Sequence, residues 1–156
     1  MANTMDARDA VSSKLAEAYA TIEGNRYLLF QAKSFESTFK KNKKDVDILG
    51  RTAKGNKSTG WSGIFKLTIY HNTEIFSDLF ERYKDTGEDI YFDLQVTNED
   101  PTSRAGRNTK IYKDCNLDEG QLQQFDAAGD WLEQELSGTF EDYLSPEKYK
   151  MLDGMQ

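Results

Sequence analysis

Few residues of this chain have side chains suited to catalysis or metal binding, and their spacing assembles no catalytic set. His71 is the only histidine and Cys115 the only cysteine. A catalytic histidine needs a nucleophile and an orienting partner. No such pattern surrounds His71, so we expect it to cap a helix or lie at the surface. Cys115 lies among alternating apolar residues, which predicts burial, and one His with one Cys cannot build a zinc site from those ligands within one chain.

A glycine-rich segment, Gly50–Thr59, comes close to a phosphate-binding loop. That loop needs a lysine directly after its second glycine, and here Asn56 separates Gly55 from Lys57. The flanks differ too, because Trp61–Tyr70 reads as a strand where the motif requires a helix. The sequence therefore predicts no nucleotide site and no cofactor.

Three glutamates near the C-terminus have the even-numbered spacing of one strand face: Glu133, Glu135 and Glu141. Paired carboxylates can carry acid–base catalysis or bind a cation. At strand spacing they are more simply the polar face of a sheet. We predict no metal site and no enzyme.

Charge is unevenly distributed along the 156 residues, whose net charge is −7. Lys40–Gly60 holds seven basic and two acidic residues, whereas Leu117–Gln156 holds ten acidic residues and two lysines. Such a chain can bind a basic partner, an acidic partner or another copy of itself. Lys40–Gly60 has no aromatic residue on which bases could stack. A solvated loop, a self-association contact and a phosphate-backbone contact all remain open for it.

Composition excludes several other classes of protein. No apolar run approaches the roughly 18 residues of a membrane helix, and the polar segment Met1–Ala10 lacks the pattern of a signal peptide. A single cysteine fits a reducing compartment. The 9 Phe, 8 Tyr and 2 Trp argue against disorder.

Alternation and turn signals predict a strand-rich chain with one helix, the pattern of an antiparallel sheet with a packed helix. The predicted strands are Arg26–Phe39, Trp61–Tyr70, Asp89–Thr97, Asn108–Leu117 and Trp131–Tyr143, with a helix at His71–Gly87 and a long loop at Lys40–Gly60. Asp9–Gly24 fits either a helix or a strand. We find no linker and expect a single domain over residues 1–156, with an N-terminal extension (1–15) and a C-terminal tail (146–156).

The same patterns predict which side chains face the core. The inward sets are Trp61, Gly63, Phe65, Leu67 and Ile69; Ile75, Phe76, Leu79, Phe80 and Tyr83; Ile90, Phe92, Leu94 and Val96; Thr109, Ile111, Cys115 and Leu117; and Leu132, Leu136 and Phe140.

Several short motifs, in order, resemble the phage tail-tube family. Lys41-Asn42-Lys43, Asp45–Arg51 and Lys57–Gly60 resemble the loop of its contractile-tail (PBSX-type) members from Gram-positive phages and phage-tail-like particles. Gly138–Tyr143 followed by Pro146–Lys148 resembles the closing strand, although the family usually has an aromatic residue in place of Gly138. The similarity runs from about Glu17 to Lys148, and Met1–Leu15 has no counterpart.

The resemblance implies a mainly β fold with one α-helix: an antiparallel β-sandwich or barrel with a flanking helix and a long inter-strand loop. It implies hexameric rings that stack into the hollow inner tube of a contractile tail, a conduit for DNA or tape-measure protein. It also makes Glu17–Ile22 a strand of a hairpin around Gly24-Asn25. The implied partners are further copies of the chain, tail sheath protein, tape-measure protein, baseplate and tail-terminator proteins, and DNA in transit, with no membrane anchor and with assembly in the bacterial cytoplasm.

Two surfaces follow from the implied tube. We expect the basic loop to meet acidic surface on the next ring through Lys41, Lys43, Lys44, Asp45, Asp47, Arg51, Lys54 and Lys57. We expect the lumen to be lined by Lys66, Thr68, Glu133, Glu135, Thr139 and Glu141, whose negative charge would let DNA slide.

Two alternatives remain beside the tail tube. One is a ring protein of a type VI-like secretion apparatus. The other is a monomeric nucleic-acid-binding domain that uses the basic loop, whose affinity would fall steeply with salt.

Overall fold

The protein is described by a computed structural model over residues 4–155. After a 3-10 turn at Ala7–Asp9, the elements are β1 (Ala16–Ile22), β2 (Asn25–Leu28), β3 (Ala32–Val46), β4 (Gly55–Tyr70), α1 (Ile75–Thr86), β5 (Phe92–Glu99), β6 (Arg107–Gly120), β7 (Glu133–Phe140) and β8 (Asp142–Glu147). No helix in this range is long and apolar enough to cross a membrane. Residues 1–3 of the predicted extension and residue 156 of the predicted tail lie outside the described range.

The strands form one antiparallel sheet folded into two layers. Its order is β2-β1-β5-β6-β7-β4-β3, with β8 paired to β6. The first layer holds β1, β2, β5, β8 and the first part of β6, and the second layer holds β3, β4, β7 and the last part of β6. Strand β6 joins the layers, because its first part pairs with β5 and β8 and its last part, Asn116–Gly120, pairs with β7. The sheet is not closed into a barrel within the subunit, and β2 and β3 are left as its two ends.

A tight hairpin connects β1 to β2. Ile22 pairs with Asn25, so Glu23 and Gly24 form the two-residue loop, with φ of 51° and 80°. Positive φ at both positions is the type I′ turn that matches the twist of paired strands. Residues 16–22 are therefore a strand, as the resemblance implied, and the alternative of a helix at Asp9–Gly24 is wrong. The turn lies one residue earlier than the predicted Gly24-Asn25, because Asn25 is the first residue of β2.

The segment Lys40–Gly60 differs from the expected long loop. Strand β3 continues to Val46 and β4 begins at Gly55, with the two strands paired along their length. Only residues 47–54 connect them. The many Lys and Gly residues hid these strands from propensity reasoning, since both types are depleted in strands, but cross-strand hydrogen bonds supply the pairing.

Helix α1 begins four residues later than predicted and ends as predicted. The Thr73 hydroxyl accepts a bond from the Ile75 N–H at 3.4 Å. At the other end Gly87 has φ 75° and its N–H bonds the Tyr83 carbonyl at 2.9 Å, the left-handed cap that favours glycine. Phe76 is buried against Phe92, with ring centroids 6.0 Å apart, whereas Tyr83 is exposed.

The core lies between the two layers, and the side chains that fill it differ from the predicted inward sets on two strands. Phe65 from β4 contacts Phe92 from β5 edge to face, with centroids 6.3 Å apart. In β6, Tyr112 is buried rather than Ile111, because the pairing with β5 slips between Tyr112 and Cys115 and Asp114 takes a φ of 54°. The bulge shifts the alternation by one residue.

The last predicted strand, Trp131–Tyr143, is divided. Strand β7 ends at Phe140 and β8 begins at Asp142 on the other layer. Leu132 precedes β7 and is exposed, and Gln134 takes the inward position instead, fully buried.

Candidate assembly surfaces

A basic arm extends from one end of the second layer. We define the basic arm as residues 40–60, the outer part of the β3–β4 hairpin and its connection. Its base is held by Phe39 stacked on Trp61, with centroids 4.4 Å apart, and Trp61 also contacts Phe140 and Tyr143. Beyond this cluster every arm residue except Gly55 is exposed. The arm therefore leaves the core and projects into solvent.

The tip of the arm is a tight turn that presents an apolar side chain. The Arg51 N–H bonds the Ile48 carbonyl at 3.2 Å, and Gly50 has φ 83°. This is the geometry of a type II turn, which requires positive φ at its third residue. Leu49, at the second position, is fully exposed.

The predicted inter-ring residues all lie on this arm. Lys41, Lys43, Lys44 and Asp45 lie on β3, Lys57 lies on β4, and Asp47, Arg51 and Lys54 lie in the connection. Lys54 Nζ is 3.9 Å from Asp47 Oδ1. Within residues 4–155 the other arm cations form no ion pair, so the arm keeps an excess positive charge.

The outward face of the second layer, which we call the polar face, carries five of the six residues predicted to line a lumen. Cross-strand pairing sets Lys66 opposite Ser137, Thr68 opposite Glu135, Ile64 opposite Thr139 and Tyr70 opposite Glu133. Glu141 differs, because it lies at the bend after β7, where its N–H bonds the Lys113 carbonyl.

Sequence reasoning missed Lys33, which neutralises one of the predicted glutamates. Lys33 Nζ lies 2.5 Å from Glu133 Oε1, and the Trp131 indole N–H donates to the same oxygen at 2.9 Å. These bonds lower the pKa of Glu133, and the same ion pair raises the pKa of Lys33. Only the strand pairing brings these residues, 100 positions apart, together.

The rest of the polar face is concave and acidic. An open depression of about 670 Å³ lies over β3, β4, β7 and the end of β6. Glu36, Glu119 and Glu135 line it, with Lys66 as the opposing charge. The face thus keeps negative charge without Glu133 and Glu141.

The end of the molecule opposite the arm is strongly acidic. Residues 71–91, which include α1, hold six carboxylates and two cations. Residues 118–133, which comprise the end of β6, its connection to β7 and the first residue of β7, hold five carboxylates and no cation. Because Tyr70 ends β4 and pairs with Glu133, the start of the first segment and the end of the second lie at the end of β4 far from the arm. The carboxylates at this end are therefore separated along the strand axis from the cations of the arm.

His71 and Cys115 have the environments of structural residues. His71 precedes α1 with its side chain 10% exposed, and its Nε2 lies 3.6 Å from Glu74 Oε1. Cys115 is fully buried, and burial raises the pKa of its thiol to about 12, which leaves it a poor nucleophile. Among residues 4–155 no group of His, Cys, Asp and Glu is arranged to hold a metal ion.

The N-terminal segment is attached to the loop after β5. The Arg104 guanidinium bonds both carboxylate oxygens of Asp9, with the shortest distance 2.6 Å, and the Ser103 hydroxyl donates to the Asp9 carbonyl at 2.9 Å. Ser12 N–H donates to Asp100 at 3.0 Å. Described residues of the predicted extension therefore belong to the folded domain.

An open sandwich with exposed edge strands and an unpaired charged arm has the features of a structural subunit, because such edges are templates for pairing with other chains. The chain belongs to the phage tail tube protein family, whose model matches residues 3–147. It is a structural component of a phage-type tail tube. The match begins well before Glu17, so most of the N-terminal segment is part of the family's domain.

Other proteins of phage-like elements and contractile systems are similar to this chain in sequence or in fold. The chain is 36% identical over 139 residues to the phage-like element PBSX protein XkdM of Bacillus subtilis (strain 168), covering 85% of this chain and 95% of that protein. It superposes with a TM-score of 0.64 and 10% identity on a chain of the anti-feeding prophage baseplate, covering 93% and 97% of the two chains. A chain of the sheath-tube complex of the extracellular contractile injection system PVC superposes with a TM-score of 0.61 and 12% identity, covering 82% and 86%.

Proposed function

We propose that this protein forms six-fold rings that stack into the hollow inner tube of a contractile phage tail or phage-tail-like particle. The observation that carries the proposal is the open sheet. Strand β3, 15 residues long, pairs with β4 on one side and with no described strand on the other. A head-to-tail contact that closes under rotation gives every such edge a partner. The six-fold order is supported by the similar baseplate structure, which is six-fold symmetrised.

The polar face is the wall of the lumen in this proposal. Helix α1 packs on the core side of the second layer, where Gln134 donates to the Ser77 hydroxyl at 2.9 Å, and so leaves the polar face uncovered. Glu36, Glu119 and Glu135 make that wall negative. A negative wall repels phosphates, so DNA passes without adhering.

The basic arm crosses to the neighbouring ring and sets the polarity of the stack. Its unpaired cations suit an acidic surface, and complementary charge fixes register and direction. The sheath protein contacts the outside of the tube, and tape-measure protein or DNA passes through its lumen. Baseplate proteins contact one end of the tube and terminator proteins the other. Assembly takes place in the bacterial cytoplasm. The role is structural and requires no catalytic residue.

Negative-stain electron microscopy of the purified protein tests the proposal directly. We expect hollow tubes or six-fold rings at high protein concentration in moderate salt. If only monomers appear, pre-formed baseplates of the same particle are added as initiators. Monomers that neither assemble alone nor extend from baseplates would overturn the proposal.

A further inference from the structure

We propose that the tip of the basic arm docks on the loop between β6 and β7 of a second copy of this chain in the next ring. We call that segment, residues 121–132, the acidic aromatic loop. The inference rests on the proposed tube function and adds to it the surface that receives the arm. It follows from where the two segments lie, from their exposed apolar side chains and from their opposite charges.

The arm tip and the acidic aromatic loop lie at opposite ends of the subunit. Strand β4 runs from Gly55 in the arm to Tyr70, and its 16 residues span about 50 Å at the rise of an extended strand. Tyr70 pairs with Glu133, directly after the loop. When copies stack head to tail, the arm of one points toward this end of the next.

Both segments expose apolar side chains that their own subunit leaves largely uncovered. Leu49 is fully exposed at the turn of the tip. In the acidic aromatic loop Phe125 is 87% exposed, Leu122 67% and Trp131 59%. Clustered exposed apolar groups on a soluble protein mark interaction surfaces. An arm tip seated on the loop removes both sets from water together.

The charges around these apolar groups are complementary. Arg51 and Lys54 flank the tip together with one carboxylate, Asp47, which pairs with Lys54, so residues 47–54 keep a net charge of +1 through Arg51. Asp126 and Asp130 lie in the loop, which has no cation of its own. Two tips would repel each other, and so would two loops. Only tip-to-loop contact is favoured, and this gives the stack a single direction.

Disulfide trapping tests the contact. Chains carrying Leu49→Cys are mixed with chains carrying Phe125→Cys, assembled, oxidised and run without reductant. We expect dimers joined through the introduced thiols in tubes and none in dissociated subunits. The native Cys115 does not compete, since it is fully buried. The matched control is Leu144→Cys on β8, 50% exposed on the other layer, which should not link to Leu49→Cys.

Charge exchange gives a second, independent test. Arg51→Glu with Lys54→Glu should abolish elongation, and so should Asp126→Lys with Asp130→Lys. A chain that carries all four changes should elongate again, because the contact is restored with its signs exchanged. Circular dichroism checks that each variant is folded.

The outcomes separate this inference from the function on which it rests. If the unmodified chain forms tubes but the Leu49→Cys and Phe125→Cys chains assemble without a link between them, the docking site alone is overturned. A folded four-change chain that stays unassembled overturns it as well. Failure of the unmodified chain to form tubes, even from baseplates, overturns the tube and the docking site together.

Discussion

At the scale of single residues, the contact between Asp9 and Arg104 attaches the N-terminal segment to the body of the protein. The Asp9 side chain is buried and Arg104 is half exposed. Hydrogen bonds from Arg104 lower the pKa of Asp9 below its ordinary value of 3.8. An acid whose pKa is lowered by folding stabilises the fold at pH values above its unfolded pKa, and the contribution is lost as pH falls through the folded pKa.

Asp9→Asn should therefore release the N-terminal segment at neutral pH, because the amide cannot accept the bidentate ion pair. We expect faster hydrogen exchange over residues 4–12 and a melting temperature lower by a few degrees. The difference from the unmodified protein should shrink as pH falls below about 4, where Asp9 itself becomes protonated. Glu17→Gln, at an exposed carboxylate of β1 that forms no ion pair with Arg104, is the control. Equal protection of the segment in both variants would contradict the role of Asp9.

The glutamates of the polar face give a second prediction at this scale. Replacing Glu36, Glu119 and Glu135 by Gln should make assembled tubes retain polyanions, because Lys66 would then dominate the wall. DNA retention by purified tubes measures the effect. The same number of changes at Glu17, Glu81 and Glu88, away from the polar face, is the control. Unchanged DNA release would count against the polar face as the lumen.

At the scale of elements, β7 depends on the glycine at position 138. A Cβ at Gly138 would lie 2.2 Å from the Asn116 carbonyl and 2.8 Å from the Phe65 ring. Neither the Asn116 backbone nor the buried Phe65 ring can move at little cost. Any side chain at position 138 would therefore displace one of them.

Gly138→Ala should lower the free energy of unfolding by about 1–3 kcal/mol, the usual cost of overpacking. Denaturant unfolding measures it. Gly129→Ala is the control, because its Cβ would meet nothing closer than 3.4 Å. If Gly138→Ala is as stable as the control, the prediction is contradicted, because β6 could then move away from β7 without loss of stability.

The basic arm is the second element with a prediction of its own. Reversing Lys43, Lys44 and Arg51 to Glu should stop tube growth but leave the fold intact. The arm lies outside the core, and exposed substitutions usually change stability by no more than about 0.5 kcal/mol. Microscopy and thermal melting measure the two effects. The same charge change at Lys14, Lys148 and Lys150 is the control and should leave tube growth unaffected. Normal tubes from the arm variant would contradict a role of the arm between rings.

At the scale of the whole molecule, the chain has opposite charges at its two ends. The arm carries the basic block, and residues 71–91 and 118–133, which reach the other end, hold 11 of the 27 carboxylates. Stacked head to tail, such subunits attract over a range set by screening, which falls from about 10 Å at 0.1 M salt to about 3 Å at 1 M.

Tube elongation should therefore slow markedly as salt rises from about 0.05 M to about 0.5 M, while the melting temperature of the subunit changes little. Light scattering during assembly measures the rate. Elongation that is indifferent to salt would show that apolar contacts alone drive stacking.

Local signals in the sequence predicted much of this fold. The alternation at Trp61–Tyr70, the stripe and glycine stop of α1, and the hairpin at Gly24 are all set by residues close together in the chain. The uneven distribution of basic and acidic residues along the chain was also evident from the sequence alone. The motifs around Lys40–Gly60 and Gly138–Tyr143 predicted the family, and the family match confirmed it.

Tertiary structure alone decided the rest, for one physical reason: strand pairing joins residues that are distant in sequence. Pairing of β3 with β4 turns a glycine- and lysine-rich loop into a projecting arm. A slip between β5 and β6 buries Tyr112 in place of Ile111. Lys33 reaches Glu133 only because β7 and β3 flank the same strand. Composition and periodicity report what each segment prefers by itself, whereas register and partners depend on the whole sheet.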